Sequence, residues 1–400
     1  MSFPSSLLDP EVAVNPYPFY QRLRTEDPVY WDEKMQVWVI SRYADVVALA
    51  HDPRMSGIPP QNPTGEPRHQ VLQKLTNNLV MFTDQPDHTR LRGLMEKAFN
   101  PRVDGVRERV QQVADSLIDA VADRGRMEVM RDLAVPLPLT VQSEFIGVPM
   151  SDSMQLTQWQ AGLADFVFFT SFTPSTKEND PRTLQNLLAL TDYFRPLIEQ
   201  RRKEPKDDLI TALVYAEEEG DYLSQQEALI SSIVLTMGSF LSITVALANC
   251  VLGLCRNPDQ MQKLQDQPAL LESAVEELLR YESQVQFSPR RANKDFEMHG
   301  QLIRKDQIVI VGLGSSNRDE SRFSNPDQLD ITRADNRHLA FGYGPHGCIA
   351  ARLARLHLRI AISTLMRRLK ELHLETDDLV WNGAPMFRSM ESLPVTFAMK

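Results

Sequence analysis

The sequence predicts a mainly α-helical protein with small β regions. Apolar residues recur at helical spacing over most of the chain, and stretches with alternating, β-branched character are few and short. A mostly apolar run of about thirty residues, 224–255, is long enough to cross a large domain as one helix. We therefore expect residues 1–400 to form a single domain.

The composition limits the class of protein. A hydrophobic content of 42% and a charged content of 24% are ordinary for a soluble globular protein, and the net charge of −10 argues against a nucleic-acid partner. Cys250, Cys255 and Cys348 are too few for a disulfide framework, so we expect a reducing cytoplasm. Residues 1–10 have neither a basic segment nor a long apolar run, so we expect no signal peptide and no membrane anchor.

Local patterns predict the individual elements in chain order. Helices are predicted at residues 15–24, 43–51, 88–99, 106–122, 151–166, 183–203, 207–213, 224–255, 274–281 and 350–370. Strands are predicted at residues 29–32, 37–41, 284–291 and 308–311, the first two as a hairpin. Residues 56–78 contain four prolines and little periodicity, which favours a long loop.

One loop near the C-terminus carries the chemistry. Gly342 and Gly344 allow the backbone to turn tightly, and Cys348 follows just before the last predicted helix. The helix N-terminus favours an anion, and a thiolate is one. A cysteine in this position is suited to hold a soft metal centre or to act as a nucleophile, although a lone cysteine is often only a small buried apolar residue.

The loop resembles the haem-binding signature of the cytochrome P450 family. That signature reads Phe, two residues, Gly, one residue, a basic residue, one residue, Cys, one residue and a small residue. The matching positions are Phe341, Gly344, His346, Cys348 and Ala350. The resemblance extends over residues 15–395. It implies a triangular prism with haem b between the long central helix and the helix after the cysteine loop.

The resemblance also assigns roles at the haem. It implies that the Cys348 thiolate is the axial iron ligand, with Phe341 packed below the ring. The residues implied to bind the propionates are His88, Arg92, His346 and, by spacing, Arg290 rather than Arg291. Glu277 and Arg280 are three positions apart and share one helix face. The resemblance implies that they form a buried set with Arg333, although surface pairs at this spacing are common.

The resemblance implies that the substrate is a hydrophobic or aromatic small molecule, oxidised in natural-product biosynthesis. The residues implied to line its pocket are Phe82, Phe168, Phe169, Val285, Phe287 and Phe387. Phe168 and Phe169 belong to an aromatic segment, 165–174, that corresponds to the family's substrate lid, although core aromatics at a helix end would give the same pattern.

The middle of the long helix departs from the family. Most members carry a small residue, Gly, any residue, an acid and Thr, and the last two deliver protons for dioxygen activation. The run aligned here is Met237–Ser242, with Gly238 retained, which could allow a kink. Phe240 and Leu241 stand where the acid and threonine are expected, and neither carries a transferable proton.

The candidate catalytic residues are therefore Gly238, Ser239, Phe240, Leu241 and Ser242, with one of the serines holding a water. Protons could come from substrate or water, peroxide could be the oxidant, or the enzyme could couple radicals without inserting oxygen. The run Gly238–Leu241 is similar to that of a mycobacterial family member that joins two phenol rings within a cyclic dipeptide.

Five basic residues could form a surface for a redox partner. Arg90, Lys97, Arg352, Arg355 and Arg359 could form a basic face for an acidic ferredoxin or flavodoxin, or could be scattered surface arginines. We expect a monomer. The rivals are a non-catalytic haem sensor or carrier and a zinc protein using His346, Cys348 and His357, whose spacing is unusual for zinc.

Overall fold

The computed structural model describes residues 4–59, 78–165, 181–382 and 386–400. The expected fold class is confirmed, because helices make up most of this part of the chain and the strands form four small sheets within it. The predicted loop at 56–78 and the aromatic segment at 165–174 lie largely outside the described residues.

The helices are α1 (Pro10–Val14), α2 (Tyr17–Glu26), α3 (Tyr43–Leu49), α4 (Asp87–Phe99), α5 (Arg107–Asp119), α6 (Pro136–Ile146), α7 (Met150–Asp165), α8 (Pro181–Lys203), α9 (Leu209–Val214), α10 (Gln225–Arg256), α11 (Pro258–Asp266), α12 (Leu271–Tyr281), α13 (Leu313–Ser316) and α14 (Ala351–Arg368). Sequence patterns did not predict α6. Its opening Pro136-Leu-Pro138 suggests a break, but proline is favoured in a first helical turn because the N–H it lacks would be unpaired there.

The strands are β1 (Val29–Asp32), β2 (Val37–Ile40), β3 (Met55–Ser56), β4 (Arg126–Glu128), β5 (Glu217–Glu218), β6 (Asp221–Tyr222), β7 (Phe287–Ala292), β8 (Phe296–Met298), β9 (Gln301–Ile303), β10 (Ile308–Gly312), β11 (Leu369–Leu374) and β12 (Pro394–Met399). The largest sheet has the order β1-β2-β10-β7-β3, and its β1–β2 hairpin confirms the prediction. β10 pairs parallel to β2 and antiparallel to β7, and β7 also pairs with β3, so β10 and β7 both lie in the sheet interior.

Helix α10 is the central element. Ser224 caps it in a reciprocal capping box with Glu227, and its 32 residues are largely buried against α6, α8, α12 and α14. By length and composition α10 could cross a membrane, but 83% of its most apolar window is buried inside the protein, as in a core helix. The helix runs without a break through Gly238.

Two clusters of buried apolar residues hold these elements together. The larger cluster contains the inner faces of α4, α10, α12 and α14, and α14 also packs against α5. The smaller cluster lies against the large sheet, around Trp38, Ile40 and Val309. The cysteine loop directly precedes α14, and it lines a cavity that α10 also lines.

Candidate active site

A large cavity separates α10 from the cysteine loop. Its empty volume is about 1760 Å³, part of which is open to solvent. Cys348 lies on one wall, and the Gly238–Ser242 face of α10 lies on another.

Backbone geometry fixes the cysteine loop. Gly342 and Gly344 have φ of 73° and 70°, in the left-handed region that glycine adopts without strain. The N–H of Cys348 donates to the carbonyl of Phe341 at 2.8 Å, and the N–H of Gly342 donates to the carbonyl of Leu339, also at 2.8 Å. These bonds close the loop and leave the Cys348 side chain at the start of α14.

Opposing influences act on the charge of the Cys348 sulfur. Its side chain is exposed to the cavity, yet the surrounding protein raises the pKa of the thiol through desolvation. The backbone N–H groups of Ala350 and Ala351 and the charges of Arg92 and Arg355 act in the opposite direction. A thiolate at a helix N-terminus with such donors is typical of a metal-binding sulfur.

A cationic edge borders the same cavity. Arg290 donates to the Ser288 hydroxyl at 3.0 Å and to the Pro289 carbonyl at 2.7 Å, and it pairs with no carboxylate among the residues that the structure describes. Burial lowers the pKa of Arg290 to about 10. The rings of His88 and His346 lie beside it with centroids 4.2 Å apart, and burial, Arg290 and His88 lower the pKa of His346 to about 3.

The arginines at this edge differ in their carboxylate partners. Arg92 also lines the cavity, although Glu96 lies 2.5 Å from its Nε and the Gly347 carbonyl 2.6 Å from its Nη1. Arg291 points elsewhere and pairs with Asp306 at 2.6 Å. A buried guanidinium without a carboxylate partner, next to two histidines, fits a ligand that carries carboxylates of its own. The haem propionates meet that requirement, and Cys348 lies on the same cavity.

The predicted set around Glu277 is buried as expected. Glu277 and Arg280 pair at 2.8 Å with no exposed side-chain surface, and Arg333 joins Glu277 at 3.0 Å. Arg280 also donates to the carbonyls of Asn317 and Pro326. This set links α12 to the chain segment that leads into the cysteine loop, and it lies outside the cavity.

The remaining wall of the cavity is apolar. Phe82, Val285, Phe287 and Phe387 line it, with Val285 and Phe387 joined in an isolated β-bridge, whereas Phe168 and Phe169 lie outside the described residues. Sequence reasoning missed further apolar lining residues, among them Val46, Leu49, Val311 and Leu313. Val46 and Leu49 lie on α3, Val311 lies on β10 and Leu313 begins α13, and in the sequence these apolar residues look like ordinary core.

The α10 face shows which candidates reach the cavity. Gly238, Ser239, Leu241 and Ser242 line it, but Phe240 does not, because it is packed in the core with 4% of its surface exposed. Leu241 exposes 37% of its surface. The Ser239 hydroxyl donates to the Leu235 carbonyl at 2.7 Å, and the Ser242 hydroxyl donates to the Gly238 carbonyl.

The expected basic face is neutralised by acids. Arg355 and Arg359 pair with Glu276 and Glu272 at 2.8 and 3.1 Å, and Arg352 pairs with Asp104 at 2.5 Å. Arg90 contacts Glu227, and Lys97 lies 3.4 Å from Glu218. Spacing along the sequence could not show these partners, because they come from other elements.

Comparison with known proteins decides the family. The cytochrome P450 family model matches residues 30–380. This chain is a cytochrome P450. It is 37% identical to the biotin biosynthesis cytochrome P450 of Bacillus subtilis (strain 168), over 99% of this chain and 100% of that protein.

Solved P450 structures share the fold. P450BioI in complex with hexadec-9Z-enoic acid ligated acyl carrier protein matches with a TM-score of 0.89 and 36% identity, covering 97% of this chain and 99% of that chain. The Bacillus subtilis 168 bacillaene polyketide synthase P450 PksS also matches with a TM-score of 0.89, at 34% identity and full coverage of both chains. The P450 fold predicted from the cysteine loop is therefore confirmed.

Family membership also settles the enzyme class and the cofactor. The protein is an oxidoreductase whose cofactor is haem b, and its relatives act in biosynthesis. Among the described residues, no three His, Cys, Asp or Glu side chains come together to hold a metal ion. His357, part of the zinc alternative, is fully buried and contacts the Leu353 carbonyl at 3.0 Å.

Proposed function

We propose that this P450 oxidises a hydrophobic or aromatic small molecule in natural-product biosynthesis, in the cytoplasm and as a monomer. The observation that carries the proposal is the cavity itself. The Cys348 sulfur, the cationic edge around Arg290 and a set of apolar side chains all line this one cavity.

The residues that hold the cofactor would be those on the cavity wall. The Cys348 sulfur would ligate the iron, and Arg290, Arg92, His88 and His346 would bind the two propionates. When bound, haem b supplies the redox chemistry that activates dioxygen. The N–H donors of Ala350 and Ala351 keep electron density on the sulfur, which favours a stable thiolate ligand.

The substrate chamber selects by shape and apolar contact. Within the described lining residues, the ionisable side chains are at the cofactor edge, and Phe82, Val285, Phe287 and Phe387 supply apolar surface. The part of the substrate over the cofactor is therefore uncharged. The complex of the relative P450BioI with an acyl-loaded carrier protein is consistent with a hydrophobic substrate.

We also propose that oxygen activation is atypical. Leu241 offers no proton, and Phe240 is turned into the core. Both serine hydroxyls donate to carbonyls of their own helix turn, but Ser239 is 3% exposed whereas Ser242 is half-buried, so the Ser242 hydroxyl is the candidate that can accept a hydrogen bond from a single water and orient it. Protons then come through that water or from the substrate. Ring coupling without oxygen insertion and peroxide-dependent oxidation remain the alternative reactions.

An absorption spectrum tests the proposal. The reduced protein with carbon monoxide should absorb at the position typical of thiolate-ligated haem, and Cys348→Ser should lose that band. Cys255→Ser is the matched control, because Cys255 lies at the end of α10 and does not line the cavity. A band typical of histidine-ligated haem in the unaltered protein would refute the proposal. If the thiolate band is present, spectral shifts on addition of aromatic metabolites and cyclic dipeptides would identify the substrate.

The electron donor is proposed to be a small ferredoxin or flavodoxin that docks near the cysteine loop. Since the cations of that surface are paired with acids, charge attraction contributes less to this docking than the sequence suggested.

A further inference from the structure

We infer that Glu276 is a positioning residue for the Cys348 loop. Its carboxylate joins His338, at the start of the loop, to Arg355 on α14, and this charge balance sets the reduction potential of the haem that Cys348 would ligate. The inference rests on the proposed role of Cys348, but it assigns a separate function to residues that do not line the cavity.

The contacts of Glu276 reach both ends of the loop. Its Oε2 lies 3.0 Å from His338 Nε2, and Arg355 Nε lies 2.8 Å from its Oε1. Arg355 Nη2 donates to Oε2 at 2.8 Å, so the pair is two-pronged. The N–H of Ala340 donates to His338 Nδ1 at 3.2 Å, which leaves the His338 proton on Nε2, where it can donate to Glu276.

Arg355 carries the effect toward the sulfur. Its guanidinium lies over the Phe341 ring, 4.6 Å from the centroid, and the Phe341 carbonyl accepts the N–H of Cys348 at 2.8 Å. The positive charge of Arg355 also acts on the Cys348 thiol, whose charged form it favours. Glu276 partly neutralises this charge and holds the guanidinium in place.

Glu276 stays ionised in this setting. Burial alone raises the pKa of Glu276, but hydrogen bonds from His338 and Arg355 outweigh burial and lower the pKa to about 2. Its side chain is 22% exposed. The adjacent Glu277 serves a different purpose, because it binds Arg280 and Arg333 away from the loop. The two neighbouring carboxylates of α12 therefore make separate sets of ion pairs, one at the cysteine loop and one away from it.

The two charges predict shifts of opposite sign. Glu276→Gln leaves the positive charge of Arg355 uncompensated, which stabilises the extra electron of the reduced haem and makes the reduction potential more positive. Arg355→Gln leaves the negative charge of Glu276 and makes the potential more negative. Loss of packing in general would not produce opposite signs, and the double variant should return close to the potential of the unaltered protein.

The experiment is a redox titration of the haem-loaded variants, with the carbonyl spectrum recorded in parallel. We expect the oxidation–reduction equilibrium constant to change by up to about tenfold in each single variant, which corresponds to about 59 mV for one electron. Arg355→Lys keeps the charge and should shift little. Glu272→Gln is the control on the same helix, because Glu272 is exposed and pairs with Arg359.

Shifts of the same sign in Glu276→Gln and Arg355→Gln, or no shift in either, would overturn the inference while the thiolate band of the unaltered protein still upholds the proposed function. If Arg355→Gln fails to retain haem, Glu276→Gln and Arg355→Lys decide: a positive shift in the first with none in the second supports the inference, and any other result overturns it.

Discussion

The two faces of the cavity are built in different ways. On the cysteine side, Cys348 is positioned by bonds that come from distant parts of the chain, such as Arg92 to the Gly347 carbonyl and Glu276 to His338. On the α10 side, the hydroxyls of Ser239 and Ser242 bond to carbonyls of their own helix. The cysteine side therefore holds the Cys348 side chain in a fixed position, whereas the α10 side offers mainly apolar surface and few free polar groups.

The largest expected effect concerns the α10 face and separates its two aligned positions. Phe240→Asp should reduce the free energy of unfolding by about 5 kcal/mol, because removal of a buried Phe side chain costs about 3–5 kcal/mol and the carboxylate adds a desolvation cost. Phe240 is 4% exposed and belongs to the main apolar cluster. Urea unfolding monitored by circular dichroism measures the change.

Leu241→Asp is the matched variant at the next position. Leu241 is 37% exposed toward the cavity, so an aspartate there keeps contact with water and should cost much less stability. Equal losses in the two variants would contradict the orientation of this helix face and would reopen Phe240 as a site residue.

The same contrast explains what could be predicted from the sequence. The cysteine loop was recognisable because glycines with positive φ, Phe341 and Cys348 must keep fixed spacing along one short segment. The orientation of α10 was harder, since Phe240 and Leu241 are both apolar and only packing against other helices decides which one faces the cavity. The acidic partners of Arg352 and Arg355 lie 248 and 79 positions away along the chain, beyond any local pattern.

An intermediate effect tests the charge on the cysteine side. Because the folded-state pKa of Glu276 is about 2, below its ordinary value of 4.5, its stabilising contribution is present above pH 4.5 and is lost as the pH falls through about 2. Linkage at 1.36 kcal/mol per pKa unit, discounted because the side chain is partly exposed, gives about 2 kcal/mol.

Urea unfolding of the unaltered protein and Glu276→Gln at several pH values measures this contribution. The two proteins should differ most at neutral pH, and the difference should shrink as the pH falls below about 4.5. A difference that stays constant over this range would mean that ionised Glu276 adds no stability. Glu272→Gln, at an exposed position of the same helix, should show no such trend.

The smallest effect concerns proton supply from the α10 face. Ser242→Ala should lower the product formed per reducing equivalent by about threefold to tenfold, since one hydrogen bond to an oriented water contributes about 0.5–1.5 kcal/mol. Ser239→Ala should leave this ratio unchanged, because Ser239 is only 3% exposed and its hydroxyl has little access to a water in the cavity. Peroxide brings its own protons, so Ser242→Ala supplied with peroxide should turn over at the rate of the unaltered protein. A loss of the same size with peroxide would place Ser242 in substrate binding instead, and no loss with either oxidant would assign the protons to the substrate.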